Sequence, residues 1–218
     1  MTTSKPASSQ TLSRGLTALE LVAETETPLS ITELAERLGL HRSIVYRIVR
    51  TLEDHGLVVR NAGGDLELGA RLAALARTVS HDLQSAALPE LTTIANELGM
   101  TAFLTTLDGD EAVTLTSVEP RHAVAAVAQR PGTRHSIARG APGRAIRSQL
   151  HPAEYPPASF ETSHDEVITG LSAIAVPLSA PGQRLAALAV VYLTQPTDVP
   201  AIGARLQKAA AAIVAELS

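Results

Sequence analysis

Apolar residues recur at helical spacing along the first third of the chain, and the polar residues between them mark where each helix starts and stops. Ile31, Leu34, Ala35 and Leu38 stand at i, i+3, i+4 and i+7, which is one face of a helix. Ser30 and Glu33 open that stripe at capping-box spacing, where a hydroxyl and a carboxylate each satisfy a free backbone N–H. Gly39 follows the last apolar position and supplies the left-handed conformation that ends a helix without a Cβ clash. A second helix is predicted directly after it, with Val45, Ile48, Val49 and Leu52 inward until Gly56. Arg42, Ser43, Tyr46, Arg47 and Arg50 fall on its opposite side.

The flanking segments complete a small domain. Ser13 is predicted to cap a first helix that runs to about Thr25, with Leu12, Leu16, Leu19 and Ala23 inward. Leu57 to Arg60 and Asp65 to Leu68 read as two short strands, joined by Asn61-Ala62-Gly63-Gly64, and would form a wing. The domain so defined covers residues 12 to 68, behind a polar arm at 1 to 11 that is expected to be disordered. Residues 69 to 80 read as a linker helix, with Leu72, Leu75, Ala76 and Val79 on a narrow apolar seam.

From residue 81 to 218 the period changes more than once. Leu83, Ala87, Leu91, Ile94, Ala95 and Leu98 predict a helix that Pro89 kinks or restarts. Thr101 to Leu107 and Glu111 to Val118 read as strands of a hairpin turned at Asp108-Gly109-Asp110, with a further strand at Ala123 to Gln129. Pro142 to Leu150 is a predicted helix with Pro at its first position, and His151 to Pro157 reads as loop. Strands at Ala173 to Leu178 and Leu185 to Tyr192 precede a last helix at Ile202 to Leu217. This order predicts an α+β domain with its helices on one face of the sheet.

Composition narrows the function. The chain has 218 residues and 45% apolar content, enough for two small cores, but only 2% aromatic residues, so stacking platforms for single-stranded nucleic acid are not expected. There is no Cys, which removes disulfides, thiolate metal sites and thiol catalysis. The polar start and the absence of a long apolar run predict a soluble, cytoplasmic protein without a membrane partner. The net charge is −4, yet His41 to Arg50 holds three Arg and no acid, so positive potential is concentrated on one helix.

That helix has the chemistry of a major-groove reader. Arg can bond two acceptors of a guanine at once, hydroxyls reach phosphates or bases, and Tyr adds a flat contact. Arg42, Ser43, Tyr46, Arg47 and Arg50 are the candidate DNA contacts, with Arg60 and Asn61 of the wing beside them. A three-helix packing module with a solvated charged face would write a similar pattern, and Arg47 could instead hold an ion pair to a nearby carboxylate.

Several of these segments resemble the isocitrate-lyase-regulator (IclR) family of bacterial transcription factors. In the N-terminal part the resemblance lies in Arg14-Gly15-Leu16, Leu38-Gly39-Leu40, the run Arg42 to Arg47, Leu52 to Val58 and Leu66 to Gly69. Farther on, Arg139 to Ala145 is similar to the family's Ala-Ser-Gly-Lys-Ala helix opening, and Ile174 to Leu178 to its Ile-Ala-Ala-Pro-Val strand. The resemblance implies a winged helix-turn-helix domain followed by a GAF-like effector and oligomerisation domain. It also implies a homodimer or dimer of dimers on palindromic double-stranded DNA, responding to a small acid or aromatic compound.

This chain departs from the family between Leu150 and Ile174, where it is shorter. The family's ligand-contacting Cys would fall at Ala173 and its two Ser at Ala189 and Val191, so those polar groups are absent. A buried carboxylate needs paired donors, so an apolar or aromatic effector, with or without an acidic group, or no effector at all, is favoured. The backbone N–H groups around Gly140, Ala141 and Gly143, with Arg139 and Arg144 nearby, could hold an anion at a helix start. The same Gly-rich turn could equally serve only as a tight connection.

No enzyme chemistry is written in the chain. Its seven His show no zinc-binding spacing, and neither a Gly-x-Ser-x-Gly elbow nor a phosphate-binding Gly-Lys loop is present, so no metal or cofactor is expected. Asp165-Glu166 reads as a solvated acidic pair. The rival to a DNA-binding regulator is a ligand-binding or protein-interaction module whose winged domain dimerises without touching DNA.

Overall fold

A computed structural model describes residues 9 to 25, 27 to 76, 79 to 122 and 126 to 217. The chain divides into two compact units between Val79 and Ser80.

In the first unit three helices, α1 (Gln10–Glu24), α2 (Ile31–Leu38) and α3 (Arg42–Asp54), precede strands β1 (Val58–Arg60) and β2 (Leu66–Leu68). Ser30 and Glu33 form the predicted capping box, the Ser30 hydroxyl accepting from the Glu33 N–H and the Glu33 carboxylate from the Ser30 N–H. Gly39 closes α2 at φ 63°. Leu34, Val45, Val49, Val58 and Leu66 make the buried centre. The paired strands are the predicted wing, and Leu29, just before α2, bridges to Leu66.

The first helix departs from its predicted face and start. Ser9 caps it, accepting from the Leu12 N–H, and Ser13 lies within it. The residues of the 1 to 11 arm before Ser9 lie outside the described ones. Ala18 and Val22 face the core, whereas Leu12 and Leu16 are 62% and 51% exposed and Ala23 is exposed too. Leu19, from the predicted face, is half-buried and packs against the same core beside Ala18 and Val22. The predicted linker helix is reduced to α4 (Arg71–Ala76), which buries no residue; Arg77 and Thr78 lie outside the described residues.

The second unit is an antiparallel sheet of six strands in the order β5-β4-β3-β8-β7-β6. These are β3 (Thr101–Asp108), β4 (Glu111–Val118), β5 (Arg134–Ser136), β6 (Glu161–His164), β7 (Leu171–Leu178) and β8 (Ala186–Leu193). Helices α5 (His81–Leu98) and α7 (Val199–Glu216) cover one face, and α6 (Gly140–Leu150) the other. Arg205 of α7 ties the first two together through Glu97 and Glu90.

The mixed α+β class is as predicted, but the helices are not confined to one face. Alternation on the central strands explains the difference. Leu188 and Val190 of β8 point to α5 and α7, while Ala187, Ala189 and Val191 point to α6. Sheets covered on both faces carry such near-continuous apolar strands. The small side chains of Ala175, Ala187 and Ala189 let α6 lie close against the sheet.

Other differences are local. Helix α5 continues through Pro89, its Leu83, Ala86 and Ala87 being buried before the proline and Leu91 and Ile94 after it. Helix α6 begins at Gly140, so Pro142 is its third residue rather than its first, still within the turn where N–H groups have no helical partner. Ala126 to Gln129 is not strand, and Ala123 to Ala125 lie outside the described residues. The side chains of Thr101 and Ser117 hold that segment by donating to the carbonyls of Val127 and Gln129. Two edge strands, β5 and β6, were not predicted. The loop at His151 to Pro157 is as read, with Arg147 stacked on the Tyr155 ring at 3.8 Å.

Candidate DNA-reading surface and effector cavity

The outer face of α3 carries Arg42, Ser43, Tyr46, Arg47 and Arg50, all exposed, because Val45, Ile48, Val49 and Leu52 turn inward at the complementary spacing. Among the described residues Arg42, Arg47 and Arg50 have no carboxylate partner, so the ion pair considered for Arg47 is not formed. Three guanidinium groups on one helix face, none of them paired to a carboxylate among the described residues, make a concentrated positive surface.

His41 caps the start of this helix and was not singled out from the sequence. Its Nδ1 accepts from the Ser43 N–H at 3.3 Å and lies 2.8 Å from the Ser43 hydroxyl, fixing that hydroxyl at the first turn. The signal available was position alone, a polar residue directly before a helix with a known inward stripe.

The two wing residues have different roles. Arg60 donates from Nε to Glu53 at 2.7 Å, and its guanidinium lies 5.4 Å from the centre of the Tyr46 ring. The Asn61 side chain builds the wing turn, with Oδ1 accepting from the Gly63 and Asp65 N–H groups and Nδ2 donating to Glu67. Arg60 therefore joins the wing to α3, whereas Asn61 acts within the turn.

In the second unit a cavity of about 80 Å³ lies between β3, β8 and the start of α6, under the loop joining β6 to β7. Phe103, Pro142, Ala173 and Val191 form apolar walls, and Val167 and Ile168 of the loop lie at its mouth. Of the residues predicted for an effector, Gly140, Ala173 and Val191 line this space. Ala141, Gly143 and Ala189 do not: they are buried where α6 meets the rest of the unit. A Cβ on Gly143 would fall 2.9 Å from Ile137 Cα, which is the physical reason for a glycine there.

The anion seat predicted at the start of α6 is filled by the protein's own carboxylate. Glu166 Oε2 accepts from the Gly140 N–H at 2.9 Å and from Arg144 Nη1 at 2.6 Å. Arg144 also donates to Glu161 and to the Thr162 carbonyl, and Arg139 to the Glu166 carbonyl. The hydrogen bond from Arg144 holds the Glu166 carboxyl below the usual carboxylate range, against partial burial and with help from the Gly140 N–H. Glu166, read as a solvated acid, is thus a latch between the β6–β7 loop and α6. Its neighbour Asp165 sits at φ 55°, accepts from the Gly170 N–H and pairs with His164, which also contacts Ser172.

His135 enters the same cavity from β5, and its Nε2 is buried without a hydrogen-bond partner among the described residues. Burial pushes the imidazole below its ordinary value, and the charge of Glu111 opposes that shift. Arg134, next to it, bridges Asp108 and Glu111 and so pins β5 to the β3–β4 hairpin.

Known proteins share these features. Residues 11–62 match the IclR helix-turn-helix domain, and residues 75–162 match the C-terminal domain of the bacterial transcriptional regulator IclR. The HTH-type transcriptional regulator Rv1719 of Mycobacterium tuberculosis is 37% identical over 54% of this chain and 46% of its own length. The HTH-type transcriptional regulator XynR of Escherichia coli is 32% identical over 66% of this chain and 58% of its own. The chain thus spans about half the length of the curated relatives it matches. An IclR homologue from Microbacterium hydrocarbonoxydans, solved in complex with 4-hydroxybenzoate, superposes with a TM-score of 0.79 over 95% of this chain and 99% of that one at 21% identity, a likeness of fold. With both units matched by domains of one family and the fold shared with its solved members, the chain belongs to the IclR family of bacterial transcriptional regulators.

Proposed function

We propose that this protein is a DNA-binding transcriptional regulator of the cytoplasm, acting as a homodimer on an inverted-repeat operator and tuned by a small molecule bound in its second unit. The observation that carries the reading is the face of α3, where Arg42, Arg47 and Arg50 stand exposed with no acidic partner among the described residues, beside Ser43 and Tyr46. Two such helices would enter successive major grooves about 34 Å apart, with the Arg60 wing against the backbone. Self-association is supported by apolar surface left open on the first unit: Leu12, Leu16 and Ile44 flank a groove of about 750 Å³ between α1 and α3. A second copy, or a dimer of dimers, would cover the α1 side of it at Leu12 and Leu16, leaving Arg47 on the α3 side clear for DNA.

For the effector, the cavity under the β6–β7 loop favours an apolar or aromatic molecule, and the relative solved with 4-hydroxybenzoate supports an aromatic one. A ligand acts on DNA affinity only through its different affinity for the two conformations it links. The test is a gel-shift titration against the protein's own upstream intergenic region at two salt concentrations, with unrelated competitor DNA. A specific shift that weakens steeply with salt is expected. Failure there and against DNA selected from the whole genome would instead favour a module that dimerises without DNA.

A further inference from the structure

Resting on the effector role proposed for the cavity, we infer that its ligand is a small neutral molecule with an apolar body and one hydroxyl or carbonyl group, hydrogen-bonded by His135 Nε2, and not a carboxylate seated at the start of α6. His135 is thereby the specificity-determining residue of the cavity.

The donors a carboxylate would need are already engaged. Glu166 takes the Gly140 N–H and Arg144 Nη1, while Arg144 Nε serves Glu161 and Arg139 serves the Glu166 carbonyl. A carboxylate fixed on the same chain competes at an effective concentration on the order of millimolar or higher, so a dilute free acid displaces it poorly.

Arg134, which also lines the cavity, is taken by Asp108 and Glu111, and among the described residues of the lining His135 Nε2 is the buried polar atom left without a partner. Phe103, Pro142, Ala173 and Val191 around the cavity form apolar walls. Buried polar atoms are normally satisfied, and an orphan beside a cavity marks where a ligand atom fits. A neutral imidazole nitrogen can donate to a carbonyl or hydroxyl oxygen, or accept from a hydroxyl, depending on its tautomer. The cavity of about 80 Å³ is roughly half the ~150 Å³ that holds a benzene ring, so a ring enters as the exposed loop residues Val167 and Ile168 at its mouth move aside.

Phenol, toluene and benzoate separate these possibilities when titrated calorimetrically into the full chain and its His135→Leu and His135→Gln variants, each checked for an unchanged melting temperature. Phenol should bind the parent protein more tightly than toluene or benzoate. His135→Leu should weaken phenol about tenfold, the scale of one neutral hydrogen bond, and leave toluene unchanged. His135→Gln, which keeps a polar group, should restore part of the loss. Benzoate binding more tightly than phenol, or phenol indifferent to His135→Leu, overturns the assignment while leaving the cavity a ligand site. If none of the three binds the parent protein, the effector reading of the cavity fails, and the assignment with it.

Discussion

Arg60 in the wing and Glu53 near the end of α3 are joined by a hydrogen-bonded ion pair of 2.7 Å, and the same guanidinium lies against Tyr46. Wing and α3 are therefore one surface, positioned together. Glu53→Ala removes the anchor without touching the outer face. Both side chains remain partly exposed, so the stability loss should stay within about 1 kcal/mol. Operator affinity should nevertheless fall by about three- to tenfold, on the order of 1 kcal/mol, as the wing loses its fixed position. Thermal melting and operator titration of the same variant measure the two effects; an unchanged affinity would show that wing position does not matter for binding.

Arg42→Ala and Arg50→Ala test which part of the helix face meets DNA. An arginine on a phosphate contributes mainly through counterion release, so its removal should reduce the slope of log affinity against log salt by about one. An arginine on a guanine should instead cost about 1–3 kcal/mol and relax the preference at one base pair. Operator affinity measured over a salt series, with single-base operator variants, assigns each residue. Full affinity in both variants would count against docking through α3.

Legibility followed locality. The capping box of Ser30 and Glu33, the Gly39 stop and the inward stripe of α3 all lie within a few residues of their partners, so the sequence predicts them and the structure contains them. Helix α1 was misread because Leu12, Leu16, Ala18 and Val22 offer two apolar rows, and only the packing of α2 and α3 selects the row of Ala18 and Val22. The strands β5 and β6 are short, polar edges with no apolar run to reveal them. The site in the second unit depends on distant pairs: Glu166 meets Gly140 across 26 positions, and no spacing rule anticipates that. The sequence therefore left an anion seat and a tight connection as equal readings, and the fold packs Gly143 against Ile137 and sets Glu166 on the Gly140 N–H.

Gly69 is a second test of close approach. A Cβ there would lie 2.1 Å from the Gly56 carbonyl oxygen, and its N–H donates to the Leu57 carbonyl at 2.8 Å. Backbone atoms cannot move aside as a flexible side chain would. Gly69→Ala should destabilise the first unit by about 1–3 kcal/mol, the usual scale of overpacking. For a domain of this size that corresponds to a melting temperature lower by about 4–8 °C per kcal/mol. Calorimetry of the full chain should show the loss in one transition if the two units unfold separately. An unaltered melting profile would mean the junction after the wing relaxes freely.

The Glu166 latch makes a prediction in pH. Its carboxyl is held below the ordinary value, first by the hydrogen bond from Arg144 and then by the Gly140 N–H, while partial burial opposes them. A group whose pKa is lower in the folded state adds stability above its unfolded value and loses it as pH falls through the folded value. Arg144 stays charged throughout, so the carboxylate alone sets the sign. Glu166→Gln should therefore be less stable than the parent protein at neutral pH, by about 1 kcal/mol or less given the partial exposure of the pair. The gap should narrow as pH drops below about 4.3, the unperturbed glutamate value, and close once Glu166 is protonated. Denaturant unfolding of both proteins between neutral pH and pH 3 measures the gap. A difference that persists unchanged in acid would mean that Glu166 acts through shape or packing, and that its charge does not hold the loop on α6.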